Sequence, residues 1–131
     1  MIIDTNTYTA LKQDNPAVLS LVKGAEYIRL PLPVVAELQY GFVNGARTTL
    51  NRTMLADFLA QEFVQVLLPV LSTCDLYAEL RLYARRRGRS LSNNDIWIAA
   101  LAREDGDVLV TYDRDFMVFQ ELFGDKLKVL S

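Results

Sequence analysis

The sequence has 131 residues, 51% of them hydrophobic, which is enough to bury the core of one domain over residues 1–131 without disulfides. It contains 14 Lys and Arg, 16 Asp and Glu and no histidine, for a formal net charge of −2. The lack of histidine excludes imidazole acid–base catalysis, Ser-His-Asp hydrolysis and His-ligated metal sites. What remains is carboxylate chemistry, which favours hard ions such as Mg²⁺ or Mn²⁺.

Two further features of the sequence narrow the class of protein. Cys74 is the only cysteine, so an intramolecular disulfide and a thiolate metal cage are excluded, and its apolar neighbours predict a small core residue. No signal peptide and no apolar run of about 20 residues is present, which predicts a cytoplasmic protein with no membrane segment.

Strand-like and helical patterns alternate along the chain, which predicts an α/β fold with a central, mainly parallel five-stranded sheet covered on both faces. The predicted strands are Met1–Asp4, Tyr27–Leu30, Val64–Leu68, Asp107–Thr111 and Lys126–Leu130. Five helices are predicted between them. They run from Asn15-Pro16 to Gly24, from Pro33 to Asn44, from Thr48 or Thr49 to about Phe63, from Ser72 or Thr73 to Gly88, and from Asn93 or Asn94 to Gly106.

Two acids of interest lie in the first third of the chain. Asp4 ends the first apolar run, so its carboxylate is expected at the tip of a strand, with Thr5 and Asn6 on the same rim. A capped turn from strand to helix explains these residues equally well. Glu37 lies at the edge of the apolar stripe of a helix, where its carboxylate needs a cation. That cation is either a metal ion or an arginine partner.

Two further acids lie towards the end of the chain. Asp95 opens a helix that is apolar on every side, and an acid there either complements the helix dipole or faces a site. Asp113 follows an apolar strand, with Thr111 able to lend a hydroxyl. Asp115 is interpreted as an acid at the start of a helix, because two acids one residue apart do not easily point the same way.

One segment just ahead of Asp95 is densely positive. It contains Arg81, Arg85, Arg86, Arg87 and Arg89, with Tyr83 between them. The alternatives are a solvated helix face and a surface that contacts a phosphate backbone.

Four segments resemble, in order and spacing, the PIN domain of VapC-type toxins from bacterial and archaeal toxin–antitoxin pairs: Ile3–Asn6, Pro33–Gly41, Gly88–Ala100 and Val110–Phe116. The resemblance assigns an acidic quartet to Asp4, Glu37, Asp95 and Asp113, with Thr111 as polar helper. It implies an α/β/α fold and a Mg²⁺- or Mn²⁺-dependent endoribonuclease. It also implies a homodimer and an antitoxin whose C-terminal segment lies across the site. Candidate RNA contacts are Asn6, Arg85, Arg86, Arg87 and Arg89.

Two expectations about electrostatics and surface follow. Four clustered carboxylates repel one another, so the metal-free site should hold raised pKa values or a compensating arginine. The helices between Pro33 and Phe63 carry more apolar surface than a small core needs, which predicts a groove for an antitoxin helix or a homodimer face. The residues of that surface are Tyr40, Phe42, Met54, Leu55, Phe58 and Leu59.

Two rival functions stay open at this point. One is a Mg²⁺-dependent aspartyl-phosphate phosphatase or receiver domain, in which Asp4 would be phosphorylated. The Asp-x-Asp-x-Thr pattern of such phosphatases is broken here by Asn6 and Tyr8. The other rival is a catalytically silent PIN-like module that only binds a partner.

Overall fold

The computed structural model describes residues 1–131 and contains five strands, all parallel, in the order β3-β2-β1-β4-β5. The predicted five-stranded parallel sheet is therefore confirmed. The strands are β1 (Ile2–Ile3), β2 (Ile28–Pro31), β3 (Val64–Leu67), β4 (Leu109–Thr111) and β5 (Leu127–Val129). The α-helices are α1 (Thr5–Lys12), α2 (Pro16–Gly24), α3 (Leu32–Val43), α4 (Thr48–Leu59), α5 (Leu71–Arg86), α6 (Asn93–Asp105) and α7 (Gln120–Phe123). Short 3₁₀ helices span Arg114–Phe119 and Gly124–Lys126.

The central strands are buried on both faces. Successive strand residues point to opposite sides of a sheet, yet Ile2 and Ile3 are both fully buried, as are their β4 partners Leu109 and Val110 to within 2%. Helices must therefore cover both sides. Burial on both faces explains why the sequences of these strands are continuous apolar runs. Polar side chains are therefore confined to the two ends of the central strands.

Several helix boundaries follow from capping as predicted. The side chain of Asn15 accepts hydrogen bonds from the amides of Ala17 and Val18 at the start of α2. The helix α6 begins at Asn93 and ends at Asp105, and its C-cap is Gly106, whose φ of 84° is readily adopted only by glycine. These local signals fix where the chain enters and leaves each helix.

The structure corrects the sequence predictions for three helices and for Cys74. The helix α1 was not predicted, because its eight residues include three threonines, which are weak helix formers, although Asp4 caps it and Tyr8 and Leu11 are buried. The helix α4 ends at Leu59 rather than near residue 63. The cap of α5 is Val70 rather than Ser72 or Thr73. The backbone amide of Val70 donates to the hydroxyl of Thr73, which lies in the first turn, at 2.9 Å. Cys74 is exposed on that same helix rather than part of the core.

The predicted apolar surplus on α3 and α4 divides into core and surface. Leu55 and Phe58 are buried, so they belong to the core and not to a groove. Tyr40 and Met54 are 70% and 37% exposed, which confirms them as surface residues. Phe42 and Leu59 are half-buried. The exposed apolar side chains Val43 and Leu50 extend this surface. No helix is long and apolar enough to span a membrane.

Candidate active site

The predicted site residues gather at the carboxyl edge of the sheet. Asp4 follows β1, and Asp113 lies two residues beyond β4, the neighbouring strand. Glu37 lies on α3, which begins directly where β2 ends, and Asp95 lies in the first turn of α6. Because all strands run parallel, their carboxyl ends meet at one edge. The fold therefore brings acids together that are separated by up to 109 positions in the sequence.

Asp4 is fixed at the base of the site. Its side chain is only 5% exposed and caps α1, where Oδ1 accepts from the Thr7 amide at 3.1 Å and the Thr7 hydroxyl at 2.7 Å. The hydroxyl of Thr111 donates to Oδ2. Burial raises the pKa of Asp4, these hydrogen bonds oppose the rise, and the charge of Asp113 adds to it. Asp4 thus serves both as a helix cap and as a site residue.

Thr7 is a site-supporting residue that the sequence reasoning missed. Its hydroxyl oxygen lies 2.7 Å from Asp4 Oδ1 and 2.9 Å from the carbonyl oxygen of Val110, so it links α1 to β4 beneath the site. The Asp-x-x-Thr spacing from Asp4 is an N-capping signal that could have revealed it. Thr111 was predicted, and its hydroxyl also accepts from the Asp113 amide at 2.9 Å.

Three acids form the most tightly packed cluster. One carboxylate oxygen from each of Asp95, Asp113 and Asp115 lies within 4.8 Å of the others. Burial and then the charge of Asp113 raise the pKa of Asp95 to about 6, with smaller contributions from Glu37 and Asp115. This bears out the expectation of raised pKa values in the metal-free site.

The position of Asp115 differs from the sequence interpretation. It does lie at the start of a helix, since the side chain of Asp113 caps the 3₁₀ helix and accepts from the Asp115 amide at 2.8 Å. The tight turn, however, brings the two carboxylates to the same side. The premise that two such acids point in different directions applies to a regular α-helix, where residues i and i+2 lie on different faces, and not to this turn.

Glu37 is held by neutral groups. The hydroxyl of Thr5 donates to Oε2, and the side-chain amide of Asn94 donates to Oε1 at 2.9 Å. The ion pairs of the structure are all formed by Arg29 or the Met1 amino group with acids elsewhere, so the alternative of an arginine partner for Glu37 is wrong. The two neutral donors orient the carboxylate without neutralising it.

The remaining predicted contacts lie around this cluster. Asn6 is exposed in the first turn of α1 and makes no side-chain hydrogen bond with the acids. The arginines at 85, 86, 87 and 89 are all exposed, at the end of α5 and in the loop that leads to α6. They do not share one face, because Arg87 packs on the Tyr83 ring with its guanidinium carbon 3.4 Å from the centroid.

Carboxylates without basic partners form a donor set for a hard divalent cation. Oxygen ligands suit Mg²⁺ and Mn²⁺, and bringing such an ion among the acids would relieve the repulsion that raises the pKa of Asp95. The largest cavity, about 690 Å³, lies elsewhere and is lined by residues at the amino ends of the strands, such as Tyr27 and Val108. Volume alone therefore does not identify the chemical site.

Comparisons with known proteins converge on one family. The family model of the PIN domain matches residues 1–122. "Ribonuclease VapC1" of Haemophilus influenzae is 29% identical over 119 residues, which cover 86% of this chain and 85% of that protein. "Ribonuclease VapC5" of Mycobacterium tuberculosis is 25% identical over 115 residues, covering 88% of this chain and 84% of that protein.

A solved structure has the same fold over almost the full chain. It is VapBC2 from Rickettsia felis, crystallised with a DNA fragment from the promoter of the pair. The TM-score is 0.77 at 25% identity, with 98% of this chain and 96% of that chain covered.

Proposed function

The chain belongs to the PIN domain family, and on that premise we propose that it is a VapC-type toxin, a Mg²⁺- or Mn²⁺-dependent endoribonuclease that hydrolyses RNA phosphodiester bonds and is neutralised by a cognate antitoxin. The observation that carries this proposal is the cluster of carboxylates without basic partners at one edge of the sheet. The names of the VapC relatives, "Ribonuclease", support the same substrate class.

Asp4, Glu37, Asp95 and Asp113 are the proposed metal-binding residues, and Asp115 is near enough to join them. A bound divalent cation would acidify a water molecule for attack on phosphorus and neutralise charge on the leaving oxygen, which removes the need for histidine. The protein's part is to hold the ligands in place. Thr7 and Thr111 fix Asp4, while Thr5 and Asn94 fix Glu37, so the carboxylates need little reorganisation on binding.

The aspartyl-phosphate rival fits the geometry poorly. A nucleophilic aspartate needs room for a phosphoryl group on one oxygen, whereas Asp4 is 5% exposed and both of its oxygens accept hydrogen bonds. Oδ2 accepts only from Thr111 and so keeps a lone pair for a bare cation, which is much smaller than a phosphoryl group. A small phosphodonor should therefore leave no phosphoryl group on Asp4, and mass spectrometry of the intact chain checks this.

The antitoxin partner is supported by an exposed apolar surface. Tyr40 and Val43 on α3 are 70% and 52% exposed, and Leu50 and Met54 on α4 are 54% and 37% exposed. A cavity of about 420 Å³ lies beside them, against α1. An amphipathic antitoxin helix would bury these side chains, and a following Arg or Lys would pair with the acids in place of metal. The alternative occupant is a second copy of this chain in a homodimer.

The decisive test is cleavage of total cellular RNA by the purified chain. We expect fragments with Mg²⁺ or Mn²⁺, none with EDTA, and none from Asp113→Asn with either ion. End-mapping of the fragments would identify the RNA target. A silent binding module would instead give no fragments and no heat on calorimetric titration with Mn²⁺ at neutral pH.

The toxin and antitoxin assignments need a test in cells. Expression of the chain should arrest growth, and co-expression of the neighbouring open reading frame should restore it and yield a stable complex. Tyr40→Ser together with Leu50→Ser should retain toxicity but escape this rescue. A harmless chain without a co-purifying partner would refute both assignments, and loss of a homodimer in the double variant would assign the apolar surface to the second copy.

A further inference from the structure

A second cavity, about 570 Å³ in volume, lies between α5, α6 and the loop joining them. We call it the arginine cleft, and its defining residues are Arg81, Arg85, Arg89, Leu82, Leu91 and Ile96. It combines three guanidinium groups with three aliphatic side chains. Leu91 and Ile96 are buried in its wall, whereas Leu82 is 43% exposed. A site of this volume is of the size that accepts a small ligand or one unit of a polymer.

The positive charge of the cleft is not compensated within the protein. None of its three arginines has a carboxylate within 4.0 Å, since the ion pairs of the structure involve only Arg29 and the Met1 amino group as cations. The side chains of Arg85 and Arg89 donate no hydrogen bonds within the chain. In a chain with a formal net charge of −2, a concave group of unpaired arginines favours an anionic ligand.

The arginine cleft is joined to the acidic site through the first turn of α6. Arg81 donates to the side-chain oxygen of Asn93, the first residue of that helix. The next residue, Asn94, holds Glu37 at 2.9 Å. Asp95 in the acidic cluster is followed directly by Ile96 in the wall of the cleft. The arginine cleft and the acidic site are therefore neighbours on either side of the first turn of α6.

We propose that the arginine cleft binds one nucleotide of single-stranded RNA beside the bond that is cleaved, with its phosphate on Arg85 and Arg89 and its base on Leu82 and Leu91. This proposal rests on the proposed ribonuclease function. Guanidinium groups bind phosphate oxygens in pairs of hydrogen bonds, and an unpaired base has an apolar face that a duplex would hide. An acidic peptide would use the charges but would leave the aliphatic wall without a matching group.

The aromatic residue at the rim of the cleft is not available to the base. The ring of Tyr77 has its centroid 4.5 Å from that of Trp97 and 5.3 Å from the guanidinium carbon of Arg81. Its hydroxyl also accepts from Arg81 at 2.9 Å. With Tyr77 engaged in this way, the exposed side chain of Leu82 becomes the surface that contacts the base.

The structure provides a matched control within the same arginine run. Arg87 donates to the carbonyl oxygen of Tyr83 and packs on its ring, and neither Arg86 nor Arg87 lines the cleft. The double variants Arg85→Gln/Arg89→Gln and Arg86→Gln/Arg87→Gln remove the same charge from adjacent positions. Only the first should remove phosphate contacts at this site.

The experiment begins with cleavage of total RNA by the unaltered chain in Mg²⁺, which tests the proposed function separately. Binding of a short, labelled, mixed-sequence single-stranded RNA is then followed by fluorescence anisotropy across a salt series. Arg85→Gln/Arg89→Gln should weaken binding on the order of tenfold and reduce the slope of log K against log salt by about 0.7, as expected for loss of one phosphate contact on a single strand. The control double variant should bind as the unaltered chain does.

Two further measurements complete the test. Leu82→Asn should weaken binding without changing the salt slope, because loss of a base contact releases no counterions. Sedimentation of the Arg85→Gln/Arg89→Gln variant should show the same mass as the unaltered chain. Equal effects of the two arginine pairs, tighter binding of polyglutamate than of RNA, or loss of a dimer would each overturn the cleft proposal, even in a chain that cleaves RNA.

Discussion

The two ends of the sheet handle negative charge in opposite ways. At the amino ends, Asp107 accepts from the Met1 amino group at 2.8 Å and from Arg29 at 3.3 Å, and these partners outweigh burial and lower its pKa. At the carboxyl ends, burial and then the charge of Asp113 raise the pKa of Asp95 to about 6, and no basic side chain pairs with it. Paired charge stabilises a fold, whereas unpaired like charge stores repulsion that a bound cation can relieve. The comparison distinguishes Asp107, which is paired with cations of the protein, from Asp95 and its acidic neighbours, which are not.

The largest expected effect is on RNA cleavage. Asp95→Asn, Asp113→Asn or Glu37→Gln should each reduce metal-dependent cleavage by at least the roughly 100-fold seen when groups supporting a metal are removed, because each takes away a proposed ligand. Asp107→Asn removes the same charge at the other end and should cleave normally. The measurement is the initial rate of cleavage of total RNA by each variant in Mn²⁺. Equal losses at both ends would remove the distinction between them.

Asp107→Asn and Asp95→Asn should change the free energy of unfolding in opposite directions. Asp107→Asn breaks a partly exposed ion pair and should lower the free energy of unfolding by about 1 kcal/mol. Asp95→Asn removes a repelling charge and should raise the free energy of unfolding of the metal-free chain slightly, within about 1 kcal/mol after allowance for solvent screening. Urea unfolding in EDTA, followed by circular dichroism, measures both values. A destabilised Asp95→Asn chain would mean that its carboxylate is paired after all.

The pH dependence of stability gives a subtler contrast. Because the pKa of Asp95 is about 6 in the folded chain and near 3.8 when unfolded, the folded state binds more protons in between, and its stability falls as pH rises through this window. The lowered pKa of Asp107 acts the other way, since its stabilisation is present above pH 3.8 and is lost as pH falls through the folded value. In EDTA, the midpoint temperature of unfolding should depend less on pH between pH 4 and pH 6 in Asp95→Asn than in the unaltered chain. An identical pH dependence would contradict the raised pKa of Asp95.

Sequence reasoning predicted the strands, and it predicted that Asp4, Glu37, Asp95 and Asp113 lie near one edge of the sheet, because strand and helix ends are marked by local pattern. The apolar run ending in Asp4 and the run before Asp113 identify strand ends, and a parallel sheet gathers such ends. Contacts that depend on side-chain direction could not be predicted. No spacing rule reveals that Thr7 reaches across to β4, or that Arg85 and Arg87 face different neighbours where α5 ends at Arg86.

The smallest predicted effect concerns the residue whose direction the sequence did not reveal. Asp115 lies in the acidic cluster but is exposed, and its hydrogen bond with Asp113 is formed by its backbone amide. Water can replace an exposed ligand more readily than a half-buried one, so Asp115→Asn should slow cleavage by only about threefold, less than 1 kcal/mol. Calorimetric Mn²⁺ titrations of Asp113→Asn and Asp115→Asn should rank their affinities in the same order as their rates. Abolished cleavage in Asp115→Asn with full cleavage in Asp113→Asn would exchange the two roles and make Asp113 only the cap of the 3₁₀ helix.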